Sequence, residues 1–182
     1  MAGLHRQRTF DAMPVTQGQL YCRTWWCIYI IDRRIAIESG RPCLIQDNNF
    51  DTALPLDLDD DWMNRFAKSA DPAASLQQEI AASTEAGSAT PVPYLAAMVR
   101  FSRVAGKAWD LLYGVKASSM SSSAMVGYVD MALCDLLENL PVSLAYNPKL
   151  AYQDQFAGRQ RFQAKQRMLF MVSEPHGVRG RV

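Results

Sequence analysis

The sequence predicts an all-α protein, an irregular array of about four substantial helices rather than a simple bundle. Two observations lead to this fold class. Apolar side chains recur at steps of three and four residues in the second half of the chain, and a long apolar segment in the first half ends in a helix stop signal. The 182 residues, of which 49% are hydrophobic and 20% charged, suffice for one globular domain.

The first predicted helix spans residues 20–39. Its apolar run 25–31 would also suit a buried strand, so length and the stop signal decide. Gly40 stands where a left-handed residue ends a helix, and Pro42 follows two residues later. Because this helix is apolar on most faces at its centre, we expect other helices to enclose it. The polar segment 1–19 is expected to be an irregular lead-in.

Three further helices are predicted from apolar stripes at helical spacing. The helix over 92–117 has the stripe Leu95, Met98, Phe101, Ala105, Ala108 and Leu112. Its opposite face carries Arg100, Arg103, Lys107 and Asp110 and is expected to be solvated. The helix over 124–140 has the stripe Met125, Tyr128, Ala132, Leu136 and Leu140, and the helix over 150–172 has the anchors Phe156, Phe162, Leu169 and Phe170.

The segments between the helices divide by composition. Residues 41–61 form an acidic loop with six aspartates, of which Asp59, Asp60 and Asp61 are expected to cap a short helix. A cation site would need the alternating acids, central glycine and closing glutamate of a calcium loop, so helix capping is the favoured interpretation. The Ser/Ala-rich stretch 67–91 is predicted to be a mobile loop, although Asp71-Pro72 could begin a short helix with Leu76 and Ile80 on one side. Residues 118–123 are predicted to be a flexible connector. One domain is predicted over 1–172, with a disordered tail over 173–182.

Composition and motifs exclude several classes of function. A net charge of +1 disfavours direct nucleic-acid contact, and the longest apolar run, of seven residues, is too short to span a membrane. The four cysteines form no CxxC pair, which disfavours a metal site. The two histidines, His5 and His176, lie in the weak ends, and no nucleophile or phosphate-loop motif is present. We therefore expect no enzyme, no cofactor-binding residue and no membrane contact.

Two pairs of residues in the first helix stand out. Trp25 and Trp26 could stack on a nucleobase or ligand, but their place in the most apolar segment favours core packing. Asp32 and Arg33 directly follow the apolar run, where charges are usually paired. We expect Asp32 to form an ion pair with a nearby arginine.

These residues together resemble a known family. The order of a basic residue, two aromatics, an aliphatic stretch, Asp-Arg, Gly-Arg-Pro and an acidic segment ending in Leu-Pro resembles the regulatory domain of fungal transcription factors, the middle homology region of the binuclear zinc cluster family. The matching signature residues are Arg23, Trp25, Trp26, Tyr29, Asp32, Arg33, Gly40, Arg41, Pro42, Asp47 and Pro55. The similarity spans roughly residues 3–172 and is strongest at 23–55.

The resemblance implies a regulatory role in transcription, in the nucleus, without catalysis. The family's zinc and DNA-contacting module is a six-cysteine cluster that this chain lacks, so we expect zinc only in an N-terminal part outside it. We expect the chain to be truncated at both ends relative to the family. The implied partners are other domains of a longer transcription factor or another protein, and a homodimer is a further alternative. Three other functions stay open: a protein-interaction or dimerisation module without a ligand, a small enzyme that uses a helical pocket, and a non-functional remnant.

Overall fold

The computed structural model describes residues 3–66, 76–81, 90–114, 122–140 and 144. Within these ranges the regular structure is helical throughout, which confirms the all-α prediction. The helices are α1 (Gln7–Asp11), α2 (Val15–Ser39), α3 (Asp60–Phe66), α4 (76–81), α5 (Val92–Tyr113) and α6 (Ser122–Glu138), and a 3₁₀ turn covers Asp47–Asn49. No helix of this described part is long and apolar enough to cross a membrane.

The start of the chain differs from the prediction. The prediction of an irregular lead-in over 1–19 is wrong. Helix α1 lies within this range, and α2 begins at Val15, five residues before its expected start. Pro14, with φ of −53°, precedes the first turn of α2. The first turn of α1 is held by a remote residue, since the Gln7 backbone N–H donates to Asp51 Oδ1 at 2.7 Å. At the other end of α2, Gly40 has the predicted left-handed conformation, with φ of +66°.

The core lies between α2 and α5, which run parallel. Trp26 and Tyr29 are fully buried, and Val99 of α5 packs in the same cluster with Phe10 and Cys22. The stripe predicted for α5 is displaced: its residues from Leu95 to Ala108 are only half-buried. The most buried row is Val92, Val99, Ser102, Gly106 and Trp109. This row escaped the prediction because Ser102 and Gly106 are not apolar, yet small residues allow the closest approach to α2.

The remaining helices pack around this pair. Ala97 of α5 packs with Leu140 and Leu144, so the end of α6 lies beside the first half of α5. In α6, Met125 is buried as predicted, but Tyr128 is exposed. Short α3 buries its own cluster against Leu58 through Trp62, Met63 and Phe66. The predicted helix over 150–172, the tail over 173–182 and most of the stretch 67–91 lie outside the described residues. In the described part of 67–91, residues 76–81 form α4 rather than the predicted loop.

One side of α2 contradicts the expected enclosure by other helices. We call the buried residues Cys22, Trp26, Tyr29, Arg33 and Ala36 the inner face, and the residues Leu20, Cys27, Ile28, Ile31 and Ile35 the outer face. All five outer residues are exposed, although four of them are aliphatic. The helix is apolar on both sides, but among the described residues other segments cover only the inner side.

Candidate functional site

A segment without α-helix, residues 41–59, follows α2 and returns along its inner face; it is extended apart from bends at 44–45 and the 3₁₀ turn over Asp47–Asn49, and we call it the strap. Its direction is antiparallel to α2. Asp32 bonds to strap residues 44 and 45, Trp26 to residue 53 and Gln19 to residue 56, so strap numbers rise as helix numbers fall. An extended segment has no backbone ladder of its own, so side chains of the helix must satisfy its polar groups.

Near the C-terminal end of α2, the contact with the strap is a buried ion-pair network around Arg33. Its guanidinium contacts Asp32 Oδ2 and Asp47 Oδ1, each at 2.8 Å, and its side chain is only 5% exposed. Asp32 also accepts the backbone N–H groups of Leu44 at 3.0 Å and Ile45 at 3.1 Å. The ion pair predicted for Asp32 is therefore present, with the adjacent arginine. The network joins one turn of α2 to two separate points of the strap.

Tyr29 completes this network. Its hydroxyl donates to Asp47 Oδ1 at 2.7 Å, and the Arg33 guanidinium lies 4.3 Å from the centre of its ring. Burial and the hydrogen bond to Asp47 raise the pKa of Tyr29 well above its usual value. Tyr29 therefore stays protonated and remains a donor at physiological pH.

The middle of the strap is an aromatic contact. Phe50 inserts its ring against Trp25, Trp26 and Tyr29, with ring centres 5.6 Å apart in each case and edge-to-face geometry. Trp26 also donates its indole N–H to the backbone oxygen of Ala53 at 2.8 Å. Both tryptophans thus pack within the protein, Trp26 fully and Trp25 partly buried, which agrees with core packing rather than ligand stacking.

The far end of the strap is fixed by three more side chains of α2. The Cys22 thiol donates to the Ala53 oxygen at 3.3 Å, and burial raises the pKa of that thiol to about 11. Gln19 accepts the Leu56 N–H at 2.8 Å. Arg23 donates to the Leu58 oxygen at 2.6 Å and pairs with Asp60 at 2.5 Å. Arg23 therefore connects α2 to the start of α3.

The aspartates of the acidic loop hold neighbouring elements in place. Asp51 accepts a hydrogen bond from the Gln7 backbone N–H at the start of α1. Asp59 Oδ1 accepts the Asp61 N–H at 2.7 Å, which is the predicted cap of α3. Asp57 bonds to the Thr90 hydroxyl just before α5. Among the described residues, no group of three or more His, Cys, Asp or Glu side chains could hold a metal ion. The zinc expectation concerns a segment beyond this chain and stays a prediction.

Helix α5 closes the site from the other side. Gly106 lies against Arg33: a Cβ atom at this position would stand 2.7 Å from Arg33 Nε. Arg103 lies in an exposed row, as predicted, and its guanidinium also stands 5.2 Å from the centre of the Trp26 ring. α5 therefore covers both the ion pair and the aromatic part of the inner face.

The structure does not bring every signature residue into this site. Nine of the eleven line the strap–helix contact or end α2, whereas the Arg41 and Pro42 side chains are exposed at the turn. Sequence reasoning missed Phe50, Gln19 and Gly106. Phe50 could have been found, because it is the one aromatic residue in an otherwise polar stretch of the acidic loop. Gln19 and Gly106 carry no such signal, since only the approach of a distant segment makes them important.

This arrangement holds an extended segment against a helix. Most polar groups on the inner face are engaged by a carbonyl, an amide or an opposite charge, whereas Arg33 Nε is buried without a hydrogen-bond partner. His5 is the one histidine of the described ranges. The chemistry available here is the making and breaking of the strap's contacts with α2.

Comparison with known proteins finds a family model and several relatives that match this chain. The family model described as "fungal specific transcription factor domain" matches residues 2–125, which include the strap, α2 and α5. Curated relatives include an uncharacterized transcriptional regulatory protein of Schizosaccharomyces pombe, 30% identical over 62% of this chain, and an ABC-transporter-regulating transcription factor of Aspergillus fumigatus, 24% identical over 77%. Cutinase transcription factor 1 beta of Fusarium vanettenii is 36% identical over 29% of the chain.

The chain spans only 12%, 14% and 6% of the lengths of these relatives, in the same order. No solved structure matches it. The family match covers more than half of the chain and includes every signature residue predicted from the sequence. The chain belongs to the fungal-specific transcription factor domain family.

Proposed function

We propose that this chain is a regulatory unit of a fungal transcription factor, and that it changes transcription through the position of the strap on α2. The observation that carries the proposal is the network of Arg33, Asp32 and Asp47, within the residues that match the family. A regulatory unit needs an element with two arrangements whose balance a ligand or partner can shift. The strap is such an element, because the directional contacts that hold it can break together.

The energetics of the network support a discrete release rather than gradual loosening. Arg33 is buried, and removing either carboxylate partner would leave part of its charge uncompensated. Partial release is therefore costly. A partner that offered Arg33 a replacement acceptor would compete with Asp47, whose side chain is 42% exposed and the accessible member of the network.

The cellular compartment and the binding partners follow from the same proposal. The chain would act in the nucleus, beside the DNA-binding and activation modules of a longer transcription factor. Direct contact with DNA would come from a separate zinc-containing module, as the chain's nearly balanced charge suits protein contacts better than phosphate contacts. The partners of the chain would be those other domains or a separate regulatory protein.

A reporter experiment in yeast tests the proposal. The full chain is inserted between a bacterial DNA-binding domain and an acidic activation domain, and reporter output is compared with that of a flexible linker of equal length. We expect the chain to change output about fivefold or more, the lower end of ordinary allosteric coupling. Arg33→Met should abolish the difference, because it releases the strap.

The matched control is Arg34→Met in the same insert. Arg34 is the next residue of α2, and its exposed side chain pairs only with Glu38. Its replacement should leave the effect on the reporter intact. An insert that behaves like the flexible linker, at equal protein level by immunoblot, would contradict the proposal, as would equal behaviour of the two variants.

A further inference from the structure

The hydroxyl group of Thr90 joins the strap to α5. It donates a hydrogen bond to Asp57 Oδ1 of the strap, and it accepts the Val92 backbone N–H in the first turn of α5 at 3.1 Å. A hydroxyl group has one proton and two lone pairs, so it can make both contacts at once. Asp57 lies between Leu56 and Leu58, whose backbone groups bond to side chains of α2. Thr90 therefore connects α5 to the far end of the strap.

The sequence around Thr90 is the substrate pattern of one class of enzyme. Proline-directed protein kinases phosphorylate a serine or threonine that directly precedes a proline. Of the nine prolines in the chain, only Pro91 follows a serine or threonine. A residue before proline avoids the α conformation, and Thr90 lies in the bend before α5, half-buried, with Pro91 exposed beside it. The target pattern and the structural link thus coincide at one hydroxyl group.

We propose that Thr90 is a phosphorylation site for a proline-directed protein kinase, and that phosphate on Thr90 detaches the Asp57 end of the strap from α5. In this step the Thr90 oxygen bonds to the γ-phosphorus of ATP, and the bond from that phosphorus to the bridging oxygen of ADP breaks. The hydroxyl proton passes to the catalytic base of the kinase. The regulatory meaning of the step rests on the proposed function, whereas the modification and its effect on the strap do not.

Charge and hydrogen bonding both act against Asp57 after the modification. A phosphothreonine carries a charge of about −1.5 to −2 at pH 7, and its oxygens are acceptors. The Asp57 carboxylate would then face a like charge at the place where it now accepts a hydrogen bond. Phosphate next to an aspartate disrupts the contact by repulsion and by loss of the donor.

Helix α5 would keep the phosphate that the strap loses. The N-terminus of a helix favours negative charge, and the first turn of this helix of 22 residues contains no acidic residue. The Val92 N–H already points at the Thr90 oxygen. The modification therefore separates the two partners of one hydroxyl group: it strengthens the cap of α5 and repels Asp57.

Treatment of the full chain with ATP, Mg²⁺ and kinase tests the site itself. A cyclin-dependent kinase and a mitogen-activated protein kinase are used in separate reactions, and mass spectrometry locates the phosphate. Pro91→Ala keeps the Thr90 hydroxyl but should lower the rate of modification about tenfold or more. Ser88→Ala, which removes a nearby hydroxyl that no proline follows, should leave the rate unchanged. Absence of phosphate on Thr90 with both kinases would overturn the proposal.

Hydrogen–deuterium exchange tests the effect on the strap. The Leu56 N–H is protected by its hydrogen bond to Gln19 Oε1, one residue before Asp57. In the phosphorylated full chain its exchange should be about tenfold faster or more, because contact between like charges is strongly unfavourable. Equal exchange at Leu56 with and without phosphate on Thr90 would contradict the proposed detachment.

Asp57→Asn is the control for repulsion. An asparagine side chain has no charge, and its NH₂ group can donate to a phosphate oxygen. Phosphorylation of this variant should therefore leave the exchange at Leu56 unchanged. Faster exchange in Asp57→Asn to the same degree as in the parent chain would overturn the mechanism, since the effect would not depend on the Asp57 charge.

This experiment and the reporter assay can fail separately. If phosphate accelerates exchange at Leu56 but Arg33→Met leaves reporter output unchanged, the phosphorylation site stands and the proposed transcriptional role of the strap fails. If the reporter responds as expected but phosphate does not change the exchange at Leu56, the proposed function stands and the present inference fails.

Discussion

The two faces of α2 differ in what covers them, although both are rich in apolar side chains. The inner face carries Trp26, Tyr29 and Arg33, and the strap and α5 bury it completely. The outer face carries aliphatic residues that remain about half exposed. Apolar content alone therefore does not decide which side of this helix is the core.

The difference lies in the polar groups among the apolar ones. Along the inner face, side chains at steps of three and four residues each reach a carbonyl, an amide or a carboxylate of the strap. The outer face has no comparable set of donors, so it can only associate by apolar contact. The inner face thus defines a single partner with a fixed register, whereas the outer face accepts any apolar surface of suitable shape.

Among the tests of this contrast, Arg33→Met has the largest expected effect. Methionine keeps much of the side-chain volume, but Asp32 and Asp47 lose their shared cation, and Asp32 is only 10% exposed. Breaking a buried ion pair on one side costs about 3–5 kcal/mol. We expect the free energy of unfolding, measured by urea denaturation and circular dichroism, to fall by about this amount.

The adjacent Arg34→Met is the control for that measurement. Its pair with Glu38 lies in solvent, so its loss should change the urea midpoint very little. Equal losses for the two variants would mean that the buried network does not stabilise the inner face more than an ordinary surface pair does.

The second test compares one cysteine on each face. Cys22 is buried, burial raises its pKa to about 11, and alkylation requires the thiolate. Cys27 is exposed five residues further along the same helix, on its opposite side. In native protein at low concentration and mildly alkaline pH, iodoacetamide should modify Cys22 about 100-fold or more slowly than Cys27. Peptide mass spectrometry measures both rates, and in urea they should converge. Comparable rates in the native state would show that the strap opens readily.

The third test uses two glycines in helices. Gly106→Ala would place a Cβ 2.7 Å from Arg33 Nε and 3.1 Å from its Cδ, in a side chain that two carboxylates hold in place. We expect a loss of about 1–3 kcal/mol from this overpacking. Gly127→Ala in α6 meets nothing within 4 Å and should stabilise by up to about 1 kcal/mol. Opposite signs in the two urea midpoints are the expected result; a stabilising Gly106→Ala would mean that Arg33 moves aside freely.

Much of this fold could be predicted from local signals. The end of α2 follows from Gly40 and Pro42, the cap of α3 from Asp59, and the positions of α5 and α6 from their spacing. Each of these features is determined by residues within a few positions of one another. The family signature also contains Trp26, Tyr29 and Arg33, which are three of the five residues of the inner face.

The rest depends on contacts between distant residues. α1 was missed because Asp51, 44 positions away from Gln7, holds its first turn. The observed buried row of α5 differs from the predicted stripe because Gly106 has no apolar side chain that would identify it in the sequence. Gly106 matters because Arg33 of another helix packs against it. Covering of the outer face was predicted from hydropathy, which cannot say whether a second element of the same chain is present to do it.

The smallest expected effect concerns the turn that makes the strap possible. Gly40 ends α2 with φ of +66°, its backbone N–H and that of Arg41 both bond to the Ala36 oxygen, and no atom lies within 4 Å of a Cβ built there. Gly40→Ala therefore tests the backbone conformation alone, and should reduce the free energy of unfolding by about 1 kcal/mol. Gly40→Asn should cost less, because asparagine tolerates the left-handed region. If alanine and asparagine lower the urea midpoint equally, the reversal from the end of α2 to its inner face does not depend on this conformation, and the strap contacts alone direct the chain back.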